Sequence, residues 1–266
     1  YVGVWMGGPG PLVVIVLLLA GIVGGAIWSG ITAVLLYWRK VPEVLSTLLL
    51  ITVASQLTGY ALKVEWLLLA PFRSDRSVRN QVSEQLADNI RIPRVTIFGN
   101  TFPISAFFVV AMAILVFFIF RRTVWGFRLQ ILGRNKMTAR RAGVSNVKYG
   151  MGAMLISGGC AGLAGAMMLS GGDFGNYRFT PGFSSNIGWE GLLVALVVRQ
   201  HPLFILPMAL TLAGIRTGSG FLAATGVERE ISQVVQALLI LALLLPPAIL
   251  FVRDRRRALA ATRART

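Results

Sequence analysis

The segment GRNKMTARRAGVSNVKYGMGAMLISGGCAGLAGAMM, Gly133–Met168, joins a basic stretch to a run of glycine, alanine and large apolar residues. The stretch from Gly133 to Asn146 contains four basic residues and no acidic one. In the apolar part, Gly158, Gly162 and Ala166 are four residues apart, which places them on one helix face that another backbone can approach closely. Because cytoplasmic loops collect lysine and arginine, the combination is typical of a membrane protein.

The composition supports this interpretation. The 266 residues are 55% hydrophobic and 14% charged, with a mean hydropathy of +0.71, which is too apolar for a water-soluble domain of this length. A net charge of +16 would suggest nucleic-acid binding in a soluble protein. Here the basic residues collect beside apolar segments, at Arg39 and Lys40, within Arg121–Lys148 and within Arg253–Arg265. We therefore predict an integral membrane protein without a nucleic-acid partner.

The sequence predicts an all-α bundle, because a bilayer core requires about 20 apolar residues in helical form. The fifth candidate segment is too short to cross alone, and it is either half of a broken helix or a re-entrant hairpin with the sixth. The seven candidates are Pro11–Tyr37, Glu43–Leu62, Phe102–Phe120, Tyr149–Ser170, Ile187–Val198, Leu203–Thr217 and Ile231–Phe251.

Placing the basic clusters inside predicts the topology of a single transmembrane domain over residues 1–266. The 71–100 loop is then external, with a short helix, whereas the 121–148 loop and the basic 253–266 tail are cytoplasmic. The first apolar segment begins close to Tyr1, which is not an initiator methionine, so we expect an upstream part of the protein to be missing.

Several chemistries are disfavoured by the sequence. It contains no G-x-x-x-x-G-K-[ST] loop for ATP, and no Ser, His and Asp arrangement or paired carboxylates for hydrolysis, so we predict that it is not an enzyme. Cys160 and His201 are single residues of their types, which excludes an internal disulfide and a metal site of clustered cysteine or histidine ligands.

Two acidic residues in predicted spans are candidates for function. Glu190 is three residues into the short fifth segment, where its carboxylate either is stabilised by the helix dipole or serves a polar pathway. Glu43 follows Pro42 at the start of the second span and has the same two interpretations. The sequence leaves both alternatives open.

Three blocks, in order along most of the chain, resemble the permease subunits of ATP-binding-cassette (ABC) importers for ribose, branched-chain amino acids and nucleosides. The first is VPEVLSTLLLITVA, Val41–Ala54, similar to N-E-V-I-x-T-L-M-L-N. The second, Arg122–Ala166, resembles R-T-x-x-G-x-x-x-R-A-x-G-x-N-x-x-A-A-x-x-x-G-I followed by S-G-x-x-A-G-L-A-G. The third, Gly188–Leu210, resembles G-F-D-G-I-A-V-A-L-L-G-x-x-x-P, with Glu190 in place of the aspartate.

The resemblance implies a dimer of permeases, identical or homologous, in the inner membrane with a cytoplasmic C-terminus. It further implies two cytoplasmic ATPases that bind ATP and magnesium, an external solute-binding protein and no cofactor on this chain. A nucleoside or simple sugar would enter by alternating access. In this family the loop before the small-residue helix contacts the ATPase. Gly133 and Gly143 would bound a short helix there, and Ala139 would present a small side chain to the partner. The coupling candidates are Gly133, Arg134, Asn135, Ala139, Arg140 and Gly143.

Polar residues in or beside the predicted spans are the candidates for the solute pathway. They are Glu43, Thr47, Gln56, Asn186, Trp189 and Glu190. An alternative function is a secondary transporter or channel driven by an ion gradient, with Glu190 as the ion site. The two functions differ in their requirement for ATP. A membrane scaffold is disfavoured, because a scaffold has no need of a carboxylate inside a short span.

Overall fold

The structure is a computed structural model that describes residues 10–64, 67–69, 82–88, 91–92, 94–97, 100–172, 177–184, 187–198, 201–224, 234 and 238. Its elements are α1 (Gly10–Arg39), α2 (Glu43–Ala61), β1 (Arg94–Ile97), β2 (Asn100–Pro103), α3 (Ile104–Arg122), α4 (Val124–Arg134), α5 (Lys136–Arg141), α6 (Asn146–Gly171), α7 (Ile187–Val197) and α8 (Pro202–Ala224). The chain divides into two compact units. The first unit comprises Tyr1–Ala111 and Phe118–Ser185, and the second comprises Met112–Phe117 and Asn186–Thr266.

The predicted all-α membrane fold is confirmed. Within the described residues, α1, α2, α3 and α6 are long and apolar enough to cross a membrane. Large apolar side chains remain exposed along these helices, including Leu19 at 53% and Phe118 at 57%, as expected where lipid covers the surface. The fifth segment is short, as predicted, with 11 residues in α7, whereas α8 runs for 23 residues. The predicted seventh span and the 253–266 tail lie outside the described residues, apart from positions 234 and 238.

The central contact of the first unit joins α1 to α6, which run antiparallel. A Cβ atom added to Gly25 would lie less than 3.0 Å from the carbonyl oxygen of Gly158, so two backbones meet without side chains between them. Residues four apart on each helix take part: Gly21 approaches Gly162, Gly25 approaches Gly158 and Ser29 approaches Met154. The small-residue face predicted on the fourth span is therefore a packing surface for the first span.

Polar and aromatic contacts extend this packing along both helices. The Ser29 hydroxyl lies 3.0 Å from the Met154 carbonyl oxygen and 3.1 Å from that of Ala26, and it donates across the interface. Interhelical bonds of this kind contribute about 1 kcal/mol in a membrane. Further along, the Tyr37 side chain lies against Gly150, where an added Cβ would overlap the phenol. The contact therefore extends from Gly21 to Tyr37 on α1.

Two segments outside the long helices, one around Ser83 and one around Phe179, pack together in the first unit. The Ser83 amide donates to the Phe179 carbonyl at 2.9 Å, and the Phe179 amide donates to the Ser83 hydroxyl at 2.8 Å. Leu86 is buried against the end of α1 that contains Val13 and Leu17. The two segments thus form one layer over the ends of α1 and α6.

The described part of the 71–100 loop contains a β-hairpin that the sequence analysis did not predict. The short helix predicted in this loop stays a prediction, because residues 71–81 lie outside the described residues. The hairpin consists of the antiparallel strands β1 and β2, in which Arg94 pairs with Pro103. The sequence RVTI of β1 contains three β-branched residues, which favour a strand, and this local preference was overlooked. Because β2 includes Pro103, α3 begins two residues later than the predicted third span.

We expect Gly25→Ala to destabilise the first unit, because the new methyl group meets the Gly158 and Gly162 backbones, which cannot rotate away. Overpacking of this kind costs about 1–3 kcal/mol, and the thermal midpoint of the purified protein in detergent should fall. Gly24→Ala is the matched control, because a Cβ at Gly24 meets nothing within 4 Å among the described residues. Equal midpoints for the two variants would contradict the close α1–α6 contact.

Candidate functional site

The predicted cytoplasmic loop begins with a sharp turn between α3 and α4. The Thr123 hydroxyl donates to the Ile119 carbonyl at 2.6 Å and accepts from the Gly126 amide at 3.1 Å, so it serves both helix ends. A Cβ at Gly126 would overlap the Ile119 carbonyl oxygen, which explains the glycine. The Gln130 side-chain amide donates to the Phe120 carbonyl at 2.7 Å and so links α4 back to α3.

Both ends of the short helix α5 are capped by its own sequence. The Asn135 side-chain oxygen accepts from the amides of Met137 at 2.9 Å and Thr138 at 3.2 Å, the standard N-cap arrangement. At the other end Gly143 has φ +73°, and the Val144 amide donates to the Ala139 carbonyl at 2.9 Å. This is a Schellman motif, in which glycine adopts the left-handed conformation that other residues avoid.

Ala139 lies inside the loop rather than on its surface. Its exposure is 0%, and it packs with Leu132 and Val144 in a small cluster that also contacts Ile131 and Tyr149. The expectation that Ala139 presents its side chain to a partner is therefore corrected, because its methyl group is covered by the neighbouring helix and by the Schellman turn. Its small size instead permits α5 to pack closely on α4.

The other predicted coupling residues are exposed, but Gly133 has a different local role from the one expected. Gly133 lies within the last turn of α4 and does not bound α5, since Asn135 provides that boundary. Gly143 ends α5 as expected. Arg134 and Arg140 are exposed basic residues at the ends of α4 and α5.

A surface groove lies between α5 and the start of α6, with a volume of about 460 Å³. Met137 and Val147 are 64% and 43% exposed, and the basic side chains of Lys136 and Arg140 stand beside them. The groove is lined by Lys136, Met137, Arg140, Val144, Ser145, Asn146 and Val147. The sequence analysis did not identify Met137 as a coupling candidate, although it is the one long apolar side chain in KMTARR.

The candidate pathway residues of α2 do not share one face. Glu43 and Thr47 are one turn apart, and the Thr47 hydroxyl donates to the Glu43 carbonyl at 2.9 Å. Gln56 follows Thr47 by nine residues, which at about 100° per residue places it on the opposite side of the helix. Gln56 is exposed there. If Glu43 and Thr47 face a polar pathway, Gln56 therefore faces away from it.

In the second unit, Glu190 forms an ion pair with Arg216 of α8, with 3.0 Å between Oε2 and Nη1. The two side chains are 26% and 33% exposed, respectively. A single charge at the bilayer centre costs about 2.5–3.5 kcal/mol on insertion scales, so an opposite charge is the expected partner. The sequence analysis did not identify Arg216 as a candidate. An arginine inside the predicted sixth span nevertheless indicates an acidic partner, and Glu190 in the fifth segment is such an acid.

Trp189 lies on a different face of α7 from Glu190. It is 56% exposed and aligns with Leu192 and Leu196, both 51% exposed, at the spacing of successive helical turns. This stripe is apolar and typical of a surface covered by lipid or another subunit. The structure thus separates two neighbouring pathway candidates, and Asn186 lies outside the described residues.

An apolar groove of about 630 Å³ lies beside the turn between α7 and α8. The His201 ring packs there at a tilt against Phe204 and Phe117, with 4.9 Å and 5.9 Å between ring centroids, respectively. Its Nδ1 atom is buried and has no hydrogen-bond partner among the described residues. The ring therefore acts mainly as a packing group in the second unit.

Residues 1–244 match the family described as branched-chain amino acid transport system / permease component. A guanosine ABC transporter permease protein of Bacillus subtilis is 28% identical over 95% of this chain and 72% of its own length. A glucose ABC transporter permease protein of Haloferax volcanii is 28% identical over 85% of this chain and 60% of its own length.

A third relative is a nucleoside ABC transporter permease protein of Lactococcus lactis, 28% identical over 53% of this chain and 38% of its own length. The chain thus spans well under the full length of the relatives that it matches. No solved structure matches the chain.

We predict that Ala139→Glu opens the 121–148 loop, because a carboxylate in the Leu132 and Val144 cluster would lack polar partners and water. Trypsin should cleave after Arg140 and Arg141 several-fold faster in inverted vesicles. Thr138→Glu is the matched control, since it adds the same charge at the neighbouring exposed position. Wild-type cleavage rates in Ala139→Glu would show that the side chain is not enclosed.

Proposed function

We propose that this chain is the membrane-spanning permease subunit of an ABC importer, because it belongs to the family described as branched-chain amino acid transport system / permease component. The family match over residues 1–244 is the observation that carries this proposal. A membrane-spanning helical domain with a folded, cationic loop fits such a subunit.

The solute we propose is a nucleoside or a simple sugar. The relatives that align with 95% and 85% of this chain are named for guanosine and glucose, and a third is named for nucleosides. Polar residues within the apolar helices, Glu43, Thr47, Glu190 and Arg216, offer hydrogen bonds to a solute of this kind. Asn186, Gln56 and Trp189 remain pathway predictions from the sequence.

The energy source we propose is ATP hydrolysis on separate cytoplasmic subunits, which would hold the ATP and magnesium. The 121–148 loop is suited to receive their motion because it is internally rigid. Gln130 joins it to α3, and the Arg128 guanidinium donates to the Tyr149 hydroxyl of α6. A partner that displaces α5 would therefore move α3 and α6 with it, and such motion would change the side on which the pathway opens.

The groove beside α5 is the surface that we assign to the ATPase. Its exposed Met137 and Val147 suit an apolar side chain of a partner, and Lys136 and Arg140 suit neighbouring carboxylates. The remaining partners we propose are a second permease subunit, identical or homologous, an external solute-binding protein and the surrounding inner-membrane lipid.

One observation weighs against the alternative of an ion-gradient-driven transporter or channel. Such a transporter would use Glu190 as a proton or cation site, but the Glu190 carboxylate lies 3.0 Å from the Arg216 guanidinium. A positive charge at that distance repels and competes with a bound cation. The ion pair therefore favours the ATP-driven function.

Reconstitution tests the proposal directly. We expect proteoliposomes containing the permease, its ATPase and its binding protein to take up radiolabelled guanosine or glucose only when ATP is enclosed with the ATPase. Met137→Glu should weaken ATPase co-purification and reduce uptake by about tenfold, because it places a carboxylate among the groove's apolar side chains. Thr138→Glu, outside the groove lining, is the control.

Two results would overturn the proposal. Uptake that persists without ATP and collapses with a protonophore would identify the gradient-driven alternative. Normal ATPase binding and coupling in Met137→Glu would show that the groove is not the coupling surface.

The orientation we propose places the 71–100 loop outside and the 121–148 loop and C-terminus inside. The hydrogen bonds between Ser83 and Phe179 support one common side of the membrane for the 71–100 loop and the segment around Phe179. In a Cys160→Ala background, an impermeant thiol reagent should label Glu84→Cys but not Thr138→Cys in intact cells. Both positions are exposed, whereas Ser83 is buried. Labelling at position 138 from outside would reverse the topology.

A further inference from the structure

Glu190 and Arg216 occupy the seam between the two helices of the second unit. Glu190 is in the first turn of α7, and Arg216 is fourteen residues into α8, or about 21 Å from its start. One turn away on each helix, Val194 and Leu212 are 6% exposed. The ion pair is more accessible than these neighbours, with 26% of Glu190 and 33% of Arg216 exposed.

Packing of the helices alone does not explain the pair. A partly exposed ion pair contributes little to stability, so α7 and α8 have no need of charges at this seam. Val194 and Leu212 demonstrate that apolar residues fill the adjacent turn. Two charged groups in otherwise apolar helices therefore indicate a ligand or a pathway.

The accessible side of the pair is also distinct from the lipid-compatible surface of α7. That surface is the stripe of Trp189, Leu192 and Leu196, and Glu190 is turned about 100° from Trp189 around the helix. Charged groups avoid contact with acyl chains. The exposed fraction of the pair is therefore suited to water or a polar solute.

We propose that the Glu190–Arg216 pair binds the vicinal hydroxyl groups of the transported solute, and that Arg216 is a specificity-determining residue. This inference rests on the proposed function. The carboxylate accepts hydrogen bonds from hydroxyls, and the guanidinium donates to hydroxyl oxygens, so adjacent hydroxyls can bridge the two groups.

The carboxylate offers an acceptor and the guanidinium offers donors, which together suit an uncharged polar solute. Guanosine and glucose, for which two of the relatives are named, both carry vicinal hydroxyls on a sugar ring. Hydroxyls can bind across the pair at its 3.0 Å separation, whereas a zwitterionic amino acid would have to part the two charges to pair with each. The geometry therefore favours a sugar-bearing solute over an amino acid.

The test compares matched solutes in the reconstituted importer with its own binding protein. The solutes are guanosine against 2′-deoxyguanosine, and glucose against 2-deoxyglucose, with leucine as the amino acid. We expect the wild type to prefer the hydroxyl-bearing member of a pair. In the double variant Glu190→Leu/Arg216→Met, which removes both charges at similar volume, this preference should fall by about tenfold. The control Leu192→Met, on the exposed stripe, should keep it.

The single variants Glu190→Gln and Arg216→Gln separate a binding role from a structural one. If both lose uptake while the double variant regains it with unchanged preference, the pair only joins α7 to α8 and the inference is wrong. Unchanged preference in every variant would also overturn it, while ATP-dependent uptake by the wild type would leave the proposed function standing. Uptake of leucine in place of both sugar-bearing solutes would overturn the inference and the proposed solute class together. Co-purification with the ATPase subunit reports assembly throughout.

Discussion

The first unit depends on the direct backbone contact between α1 and α6. In lipid, helices gain little from hiding apolar side chains, so their association relies on close packing and interhelical hydrogen bonds. Gly25 and Gly158 allow that approach, and Ser29 adds a bond to the Met154 carbonyl. A side chain at either glycine would separate the helices and loosen every contact along them.

The two ends of this helix pair have different surroundings. At one end, the segment around Ser83 and Leu86 packs with residues 177–180 over α1 and α6. At the other, Tyr37 covers Gly150 shortly after α6 leaves the cationic loop. The loop carries its own small core around Ala139, with caps at Asn135 and Gly143, and so behaves as a rigid attachment to α6. Such an attachment suits the coupling to an ATPase subunit that we propose for this loop.

The second unit is stabilised differently, because the contact between α7 and α8 combines apolar packing with an ion pair. Val194 and Leu212 are buried as in any helical hairpin, while Glu190 and Arg216 keep about a quarter to a third of their surface accessible. A lone charge in a span costs about 2.5–3.5 kcal/mol, so each of these groups stabilises the other there.

The sequence by itself determined the membrane class, six of the helical segments and the end of α5 at Gly143. Hydropathy, the small-residue spacing and a helix-ending glycine such as Gly143 all act over a few residues, so they can be recognised from the sequence alone. The tertiary structure decided that Ala139 is enclosed, that Trp189 and Glu190 face different surroundings, and that Arg216 is the partner of Glu190. Glu190 and Arg216 are 26 residues apart in the chain. Their distance depends on how α7 packs on α8, and periodicity within each helix does not contain that information.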